Sequence, residues 1–430
     1  MAMTPDLLIR NGTVVDPEGG ENRHADVLIR DGRIAEIGRE LAVEGIETYD
    51  AAGRLISPGW MDMHVHLREP GFEYKETIET GCRAATFGGF TAVACMPNTN
   101  PPIHTRDVVE FIIERGNATA VDVYPIACVS HDRAGKQLTE MVDLAEGGAV
   151  AFSDDGAPVQ DSGLMRTALE YSSMIGKPIV NHMEDLGLNV HGHMHEGAVS
   201  TRLGLAGIPG LAEEVMIARD ILIAEYTGGH VHVAHISTGR AVDLVRQGKA
   251  RGIRVTAEAC THHFALTDLE IAERDFDTNV KMHPPLRTAA DVAAIKEGLR
   301  DGTIDAICTD HAPHASFEKE VEFAAAPFGI LGLETAWGLT GRELIAPGVL
   351  TLQQALYKLI VAPRRIFSID VPRIEVGRPA NLTIFDATTP WTFEARHIHS
   401  KSRNTPFVGA PMVGRAWATY NRSRFTEAIA

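Results

Sequence analysis

Two histidines separated by a single residue mark the stretch 58–71, which reads Pro-Gly-Trp-Met-Asp-Met-His-Val-His-Leu-Arg-Glu-Pro-Gly. Side chains alternate between the two faces of a β-strand, so His64 and His66 would point the same way. Two imidazoles on one face can hold one metal ion between them. A chance pair of surface histidines is the alternative, and the choice depends on which other ligands the chain supplies.

Further potential ligands stand at the ends of later apolar segments, namely Asn98, Asp154, Asp155, His182, His235 and Asp310. Buried ionisable groups are costly unless they are paired or bind a metal, so their convergence would predict a metal site. Nitrogen and oxygen ligands without cysteine favour zinc, with manganese, cobalt or iron as substitutes. Four histidines and two or three carboxylates exceed the need of one tetrahedral zinc, and a bridging carboxylate would let them hold two ions with a shared hydroxide.

The elements that must position these residues form a regular alternation from residue 59 onward. Apolar runs predict eight strands at 61–67, 91–97, 122–129, 148–154, 178–183, 230–237, 254–260 and 305–311. Helical patterns lie between them at 105–115, 162–175, 211–226, 238–250 and 288–300, with predicted ends at Gly116, Gly176, Gly228, Gly252 and Gly302. Eight such units predict an α/β fold, the (β/α)8 TIM barrel, with its chemistry at the C-terminal ends of the strands.

Both ends of the chain carry shorter β-like runs, and Asp31-Gly32 between two of them is a strong hairpin signal. We therefore expect residues 1–57 and 368–430 to form one small β-module. Residues 58–367 would then form the TIM-barrel catalytic domain.

The composition disfavours certain classes of binding partner and indicates the cellular compartment. The 430 residues carry a formal net charge of −17, which disfavours a nucleic acid or an anionic membrane as a partner. The five cysteines have no paired spacing and predict buried, reduced thiols in a cytoplasmic protein. Neither a signal peptide nor an apolar run of membrane-spanning length is apparent, so a cytoplasmic location is expected.

Several stretches together resemble the bacterial type I dihydroorotases of the amidohydrolase superfamily along nearly the whole chain. The matching stretches are 64–71, 96–99, 152–156, 181–185, 234–238, 284–287, 309–314, 327–329 and 404–407. The resemblance implies reversible ring closure of N-carbamoyl-L-aspartate to L-dihydroorotate, a step of pyrimidine synthesis. It also implies a small-molecule substrate and allows two further partners, a homodimer and an aspartate transcarbamoylase.

The resemblance also assigns roles to individual residues. It implies that His64, His66 and Asp310 hold the first zinc, that His182 and His235 hold the second, and that Asp155 and a hydroxide bridge them. Asp310 would also be the catalytic base and acid. The substrate would contact Arg68, Asn98, His283, His314, Phe328 and Gly329, with the loop 315–330 closing over it. Strand alternation sends the neighbouring Asp154 to the opposite face.

Two alternatives stay open beside a zinc dihydroorotase. One is a related cyclic amidase for an allantoin, hydantoin or dihydropyrimidine ring, although the absence of a lysine on strand four argues against it. The other is an inactive partner of an aspartate transcarbamoylase, against which the intact ligand set argues. One position departs from the family pattern, because His283 stands where asparagine is usual. A salt bridge to Glu69 is the alternative role for Arg68.

Overall fold

The computed structural model describes residues 6–20, 22–189 and 191–428. Its strands are β1 (Leu7–Val14), β2 (Arg23–Arg30), β3 (Arg33–Gly38), β4 (Thr48–Asp50), β5 (Leu55–Pro58), β6 (Trp60–Val65), β7 (Phe90–Cys95), β8 (Asp122–Ala127), β9 (Ala151–Phe152), β10 (Ile179–Asn181), β11 (Met194–His195), β12 (Gly207–Ile208), β13 (Val231–Val233), β14 (Val255–Cys260), β15 (Ala306–Cys308), β16 (Leu382–Thr392), β17 (Pro411–Asn421) and β18 (Arg424–Glu427).

The α-helices are α1 (Ile78–Gly88), α2 (Arg106–Asn117), α3 (Met141–Glu146), α4 (Ser162–Met174), α5 (Ala198–Leu203), α6 (Gly210–Thr227), α7 (Gly239–Ala250), α8 (Thr261–Ala265), α9 (Glu270–Glu273), α10 (Ala289–Asp301), α11 (Ser316–Lys319), α12 (Ala336–Thr340) and α13 (Leu352–Ile366). Single turns of other helical types lie at His131–Arg133, Thr278–Val280, Leu333–Thr335, Gly341–Ile345 and Ala395–His397.

Eight parallel strands form the barrel in the order β6-β7-β8-β9-β10-β13-β14-β15. A parallel bridge between Val65 and His311 joins the two ends of this sheet. The backbone N–H of His66 donates to the carbonyl of His311 at 2.8 Å beside that bridge. The predicted α/β barrel is confirmed, and each of the eight predicted strands is present in a shorter form. The C-terminal ends of the strands therefore face one common mouth.

Most predicted helix boundaries agree with the structure to within two residues, but the predicted helix end at Gly116 is wrong. Gly228 and Gly302 adopt left-handed backbone conformations, with φ of 69° and 83°, and cap α6 and α10. Helix α2, however, continues through Gly116 to Asn117. A Cβ on Gly116 would lie 2.7 Å from the Cβ of Val123 on β8. This glycine therefore permits close packing of helix on strand, and it does not end the helix.

Strands from both ends of the chain form a second sheet, in the order β18-β17-β16-β5-β1-β2-β3 with β4 beside β1. Antiparallel pairing of β16 with β5 joins the C-terminal and N-terminal segments. Trp60 at the start of β6 contacts a cluster of aromatic side chains that links this sheet to the barrel. Its ring centroid lies 4.7 Å from Trp337, 5.1 Å from Phe385 and 6.1 Å from Phe90.

All five cysteines are buried and none is in a disulfide. Among the helices of the described residues, none combines the length and apolarity needed to cross a membrane.

Replacing Trp60 by alanine tests the aromatic contact between the sheet and the barrel. Trp60 is fully buried, and deleting a buried Trp side chain typically costs about 3–5 kcal/mol because a cavity remains. We expect a loss of this size in the free energy of unfolding, measured by urea denaturation. Phe317→Ala, at a side chain that is 66% exposed, should change it by less than about 0.5 kcal/mol. Equal losses in the two variants would contradict this interpretation.

Candidate active site

The mouth of the barrel is centred on the carboxylate of Asp155, which follows β9. Its Oδ1 lies 3.6 Å from Nε2 of His64, 3.5 Å from Nε2 of His235 and 3.8 Å from Nδ1 of His182. Its other oxygen lies 3.6 Å from Nε2 of His66. One carboxylate thus faces four imidazoles, of which one lies on β6 and the others lie just beyond the ends of β6, β10 and β13. Burial would raise the pKa of Asp155, but the imidazoles hold it well below its usual value.

Asp310, two residues beyond β15, completes the cluster. Its Oδ1 lies 2.9 Å from Nε2 of His66 and 3.6 Å from Nε2 of His64. On the opposite side, Nδ1 of His182 lies 2.9 Å from Nε2 of His235. All six predicted ligands are therefore brought together, and each is at most 6% exposed. We call this group the central cluster.

Unsatisfied atoms in the central cluster fit a metal ion. Nε2 of His64 and Oδ1 of Asp155 are buried without a hydrogen-bond partner, although they face each other. Such atoms are costly in a folded protein unless something binds them. Ligand atoms of two triads, His64-His66-Asp310 and His64-Asp155-His235, lie within 4.8 Å of one another. The donors are imidazole nitrogens and carboxylate oxygens, the set that zinc and related divalent metals prefer.

Glu258 on β14 orients His64 and was missed in the sequence. Its Oε1 lies 2.6 Å from Nδ1 of His64 and accepts the backbone N–H of His235 at 3.3 Å. A proton on Nδ1 of His64 leaves its Nε2 lone pair directed at Asp155 and Asp310. Burial would lower the pKa of His64, but Glu258 and the cluster carboxylates raise it to about 10, so a metal that binds at Nε2 must displace a proton from it. The sequence signal that could have revealed Glu258 is a carboxylate in the middle of an apolar strand.

Asn98 and Asp62 provide comparable support. Oδ1 of Asn98 lies 2.8 Å from Nδ1 of His66, which directs Nε2 of that ring into the central cluster. Asp62 on β6 is fully buried and accepts the backbone N–H groups of His64 and Thr309. Burial raises the pKa of Asp62 to about 7. Asp62 thereby ties the first barrel strand to the segment that carries Asp310.

Asp154 and Asp155 diverge as strand alternation predicts. The carboxylate of Asp154 accepts the backbone N–H of Ser130 at 3.0 Å and also the hydroxyl of Ser130. The carboxylate of Asp154 therefore binds Ser130, outside the central cluster.

A cleft of about 170 Å³ opens above the central cluster. Each residue predicted to contact substrate lines it, namely Arg68, Asn98, His283, His314, Phe328 and Gly329. The Nε–H of Arg68 donates to the carbonyl of Pro313 at 3.1 Å. Glu69 instead accepts the backbone N–H of Ile78, so the alternative salt bridge from Arg68 to Glu69 is not formed. Burial lowers the pKa of Arg68 to about 10, which leaves the group cationic at neutral pH.

His283 lines the cleft and contacts two other lining residues, His182 and Phe328, as well as the carboxylate of Glu184. Its Nε2 lies 2.8 Å from Oε1 of Glu184. Its ring stacks on Phe328, with centroids 4.8 Å apart, and lies edge-on to His182 at 4.8 Å. Burial lowers the pKa of His283. The imidazole therefore forms part of the wall between the central cluster and the loop 315–330.

That loop is anchored by two lysines. Nζ of Lys319 donates to the carbonyls of Thr278 and Pro327, and Nζ of Lys281 donates to those of Phe323 and Ala324. Asn404, from a matching stretch of the sequence, joins the loop to the end of the barrel. Its amide donates to the carbonyls of Ala312 and Gly329 and its oxygen accepts the N–H of His314. The closing of this loop over a substrate stays a prediction.

Three residues of the site adopt backbone conformations that non-glycine residues rarely use. Arg68, His235 and Asp310 have φ of 64°, 33° and 49°. Such conformations cost about 1–3 kcal/mol each and concentrate at functional sites. They turn the chain at the strand ends and direct these side chains into the mouth.

Comparison with known proteins shows close sequence relatives. A family model described as dihydro-orotase-like matches residues 53–241. A dihydroorotase from Pelotomaculum thermopropionicum is 54% identical over 413 residues, which cover 96% of each chain. A dihydroorotase from Acetivibrio thermocellus is 47% identical over 414 residues, with 96% of this chain and 97% of the relative covered.

Solved structures share the fold at lower identity. The L-hydantoinase (dihydropyrimidinase) from Arthrobacter aurescens is 25% identical, with a TM-score of 0.86, and the match covers 98% of this chain and 96% of that one. A dihydropyrimidinase from Brevibacillus agri is 23% identical, with a TM-score of 0.84 and coverage of 98% and 94%. The barrel together with the second sheet is thus a fold seen in cyclic amide hydrolases.

Glu258→Gln tests the support of His64. The amide can present its NH₂ group to His64 and so favour the wrong tautomer, and losing such a partner typically weakens metal affinity about 10- to 100-fold. We expect a loss of this size in zinc affinity, measured by competition with a chromophoric chelator. Asp154→Asn, an equally buried carboxylate outside the central cluster, should keep the parental affinity. Parental affinity in Glu258→Gln would refute the assigned role.

Proposed function

Because the chain belongs to the dihydroorotase family, we propose that it catalyses the reversible cyclisation of N-carbamoyl-L-aspartate to L-dihydroorotate. The main support for this proposal is the central cluster at the barrel mouth, with Arg68 in the cleft above it. The cluster supplies ligands for hydrolysis or formation of a cyclic amide. The guanidinium supplies a partner for the substrate carboxylate. Residues 58–367, which contain all of these groups, would be the catalytic domain.

We propose that the chain binds two zinc ions. His64, His66 and Asp310 would hold one, His182 and His235 the other, and Asp155 would be shared. When bound, the ions supply Lewis acidity, which polarises the amide carbonyl and lowers the pKa of water. The buried, unpartnered atoms of His64 and Asp155 support this assignment.

Asp310 would move the proton of the reaction. Its Oδ1 is held by His66 at 2.9 Å, and the nearby imidazoles keep its pKa well below the usual value despite burial. It is therefore an ionised base before reaction. In the hydrolytic direction it would accept a proton from the attacking water and return it to the ring nitrogen that leaves. In the synthetic direction the same transfers run in reverse.

The remaining cleft residues would position the substrate and exclude water. Arg68 would form paired hydrogen bonds with the carboxylate, and Asn98 and His283 would face polar edges of the ring. His314 donates from Nε2 to the carbonyl of Phe328 at 2.8 Å, which holds the covering loop close to the substrate position. Gly329 has a φ of 130° and permits that approach.

Turnover of a panel of rings tests the proposed substrate. Zinc-loaded protein should hydrolyse dihydroorotate, with hydantoin and allantoin slower by orders of magnitude. Arg68→Met should lower kcat/KM for dihydroorotate about 10- to 100-fold, the size of a lost hydrogen bond to a charged group. It should alter any rate on hydantoin, which lacks the carboxylate, by only a few-fold. Preference for hydantoin or allantoin would favour the related cyclic amidase instead.

Asp310→Asn tests the proton transfer. The amide keeps the shape of the side chain but cannot accept the proton, so kcat should fall by at least about 100-fold, as general acid–base contributions do. Circular dichroism should confirm an unchanged fold, and elemental analysis should report the metal content. A kcat within a few-fold of the parent would show that another group carries the proton.

A further inference from the structure

A cavity of about 860 Å³ lies at the end of the barrel opposite the central cluster. Its wall includes the N-terminal end of β8 and two turns of the second sheet, at Asp31-Gly32 and Arg422-Ser423. Among the residues that the structure describes, the wall contains four carboxylates and six arginines, namely Arg33, Arg364, Arg365, Arg373, Arg378 and Arg422. Positive charge is therefore in excess here, in a chain whose formal net charge is −17. We call this space the basal cavity.

Two of these arginines lack an ion pair. The other four pair with Glu18, Asp122 or Glu375. Within the described part of the chain, neither Arg33 nor Arg364 has a carboxylate partner. Arg33 is exposed, so water can solvate its guanidinium. Arg364 is only 2% exposed and has no such access to bulk water.

Arg364 is a buried cation in the wall of the basal cavity. Its Nη1 donates to the carbonyl of Ile360, one turn earlier in α13, at 2.9 Å. This is its one hydrogen bond to the residues described. Asp122 is already engaged, since Asn421 and Arg422 each donate to it at 3.1 Å. A buried cation without a counterion is unfavourable, so the remaining donors of Arg364 point to an anionic ligand.

The surroundings of Arg364 favour an organic phosphate as that ligand. Burial lowers the pKa of Arg364 to about 10, so the group stays cationic at neutral pH. Guanidinium groups bind phosphate oxygens through paired hydrogen bonds. A phosphate monoester carries about 1.5 to 2 negative charges at neutral pH, close to the charge of Arg33 and Arg364 together. Tyr124 lies in the same wall and offers an aromatic ring.

We propose that the basal cavity binds a phosphorylated small molecule of about nucleotide size, with its phosphate on Arg364. The volume of the cavity falls within the range of about 300–1,000 Å³ that is usual for small-molecule sites and is far larger than a free phosphate ion needs. The phenol hydroxyl of Tyr124 has no hydrogen-bond partner among the described residues and can donate to the ligand. This site lies apart from the active site and does not depend on the proposed reaction.

Isothermal titration calorimetry of the zinc-loaded protein tests this inference. Uridine monophosphate and adenosine monophosphate are the probes, and uridine and orthophosphate are the comparisons. At least one monophosphate should bind about tenfold or more tightly than orthophosphate, because it also fills the cavity, and uridine should not bind. Arg364→Met keeps an unbranched side chain but removes the charge. It should weaken monophosphate binding at least about tenfold, the size of a lost hydrogen bond between charged groups.

Arg68→Met is the matched control, because it removes another guanidinium that is only 9% exposed, from the active-site cleft. It should bind the monophosphate with parental affinity, which would separate the basal cavity from phosphate held at the central cluster. Arg33→Gln, at an exposed position, is a second basal variant in case Arg364→Met misfolds. It should weaken binding severalfold.

Thermal unfolding separates a ligand-binding role of Arg364 from a structural one. Without nucleotide, Arg364→Met should have a Tm no lower than that of the parent, since an unpaired buried cation does not stabilise a fold. The monophosphate should raise the Tm of the parent and of Arg68→Met, but not that of Arg364→Met. A lower Tm in Arg364→Met with parental affinity would show that this arginine is structural and would overturn the inference.

The titrations give three further results that would overturn the inference. The parent could bind neither monophosphate, or binding could survive both basal substitutions. Binding that is lost in Arg68→Met but kept in Arg364→Met would place the phosphate in the active site. Equal affinity for orthophosphate would show that the cavity takes the free ion and not an organic phosphate. The proposed function stands or falls separately, on the turnover of dihydroorotate.

Discussion

The structure depends on one costly arrangement, a buried Asp155 carboxylate among four imidazoles. Removing ionisable groups from water is unfavourable unless each finds a partner. Here the nearest contacts of Asp155 with His64, His66 and His235 lie at 3.5–3.6 Å, beyond hydrogen-bonding distance. These separations leave room for a cation between the ligands. Divalent metal would turn the arrangement from a cost into a source of binding energy, since metal binding and folding share the same free energy.

The second constraint is the orientation of each imidazole, since a histidine binds metal only through an unprotonated nitrogen. Glu258 and Asn98 fix the outer nitrogens of His64 and His66 at 2.6 and 2.8 Å. His182 is different, because its outer nitrogen has no comparably close partner. The two-sheet architecture matters for function mainly because it fixes the strand ends that carry these side chains.

Much of this arrangement could be predicted from the sequence because strand alternation and barrel topology act locally and regularly. The His64–His66 pair, the divergence of Asp154 from Asp155 and the eight strands follow from those two rules. Contacts between distant segments could not be predicted in this way. Glu258 meets His64 across 194 residues, and His283 meets Glu184 across 99. The prediction that α2 ends at Gly116 failed for a related reason, because Val123, which Gly116 packs against, lies on another element. The boundaries of the catalytic domain stay a prediction.

We propose that metal held by the six side chains of the central cluster carries the chemistry. Stepwise removal of metal with a chelator, followed by reconstitution with zinc, tests it when ions per chain and dihydroorotate turnover are measured on the same samples. We expect turnover to fall with loss of the tightly bound ions and to return as two ions per chain are restored. Substitution of His64 by alanine should prevent both the binding and the recovery. Full turnover by protein that elemental analysis shows to be free of metal would contradict the account.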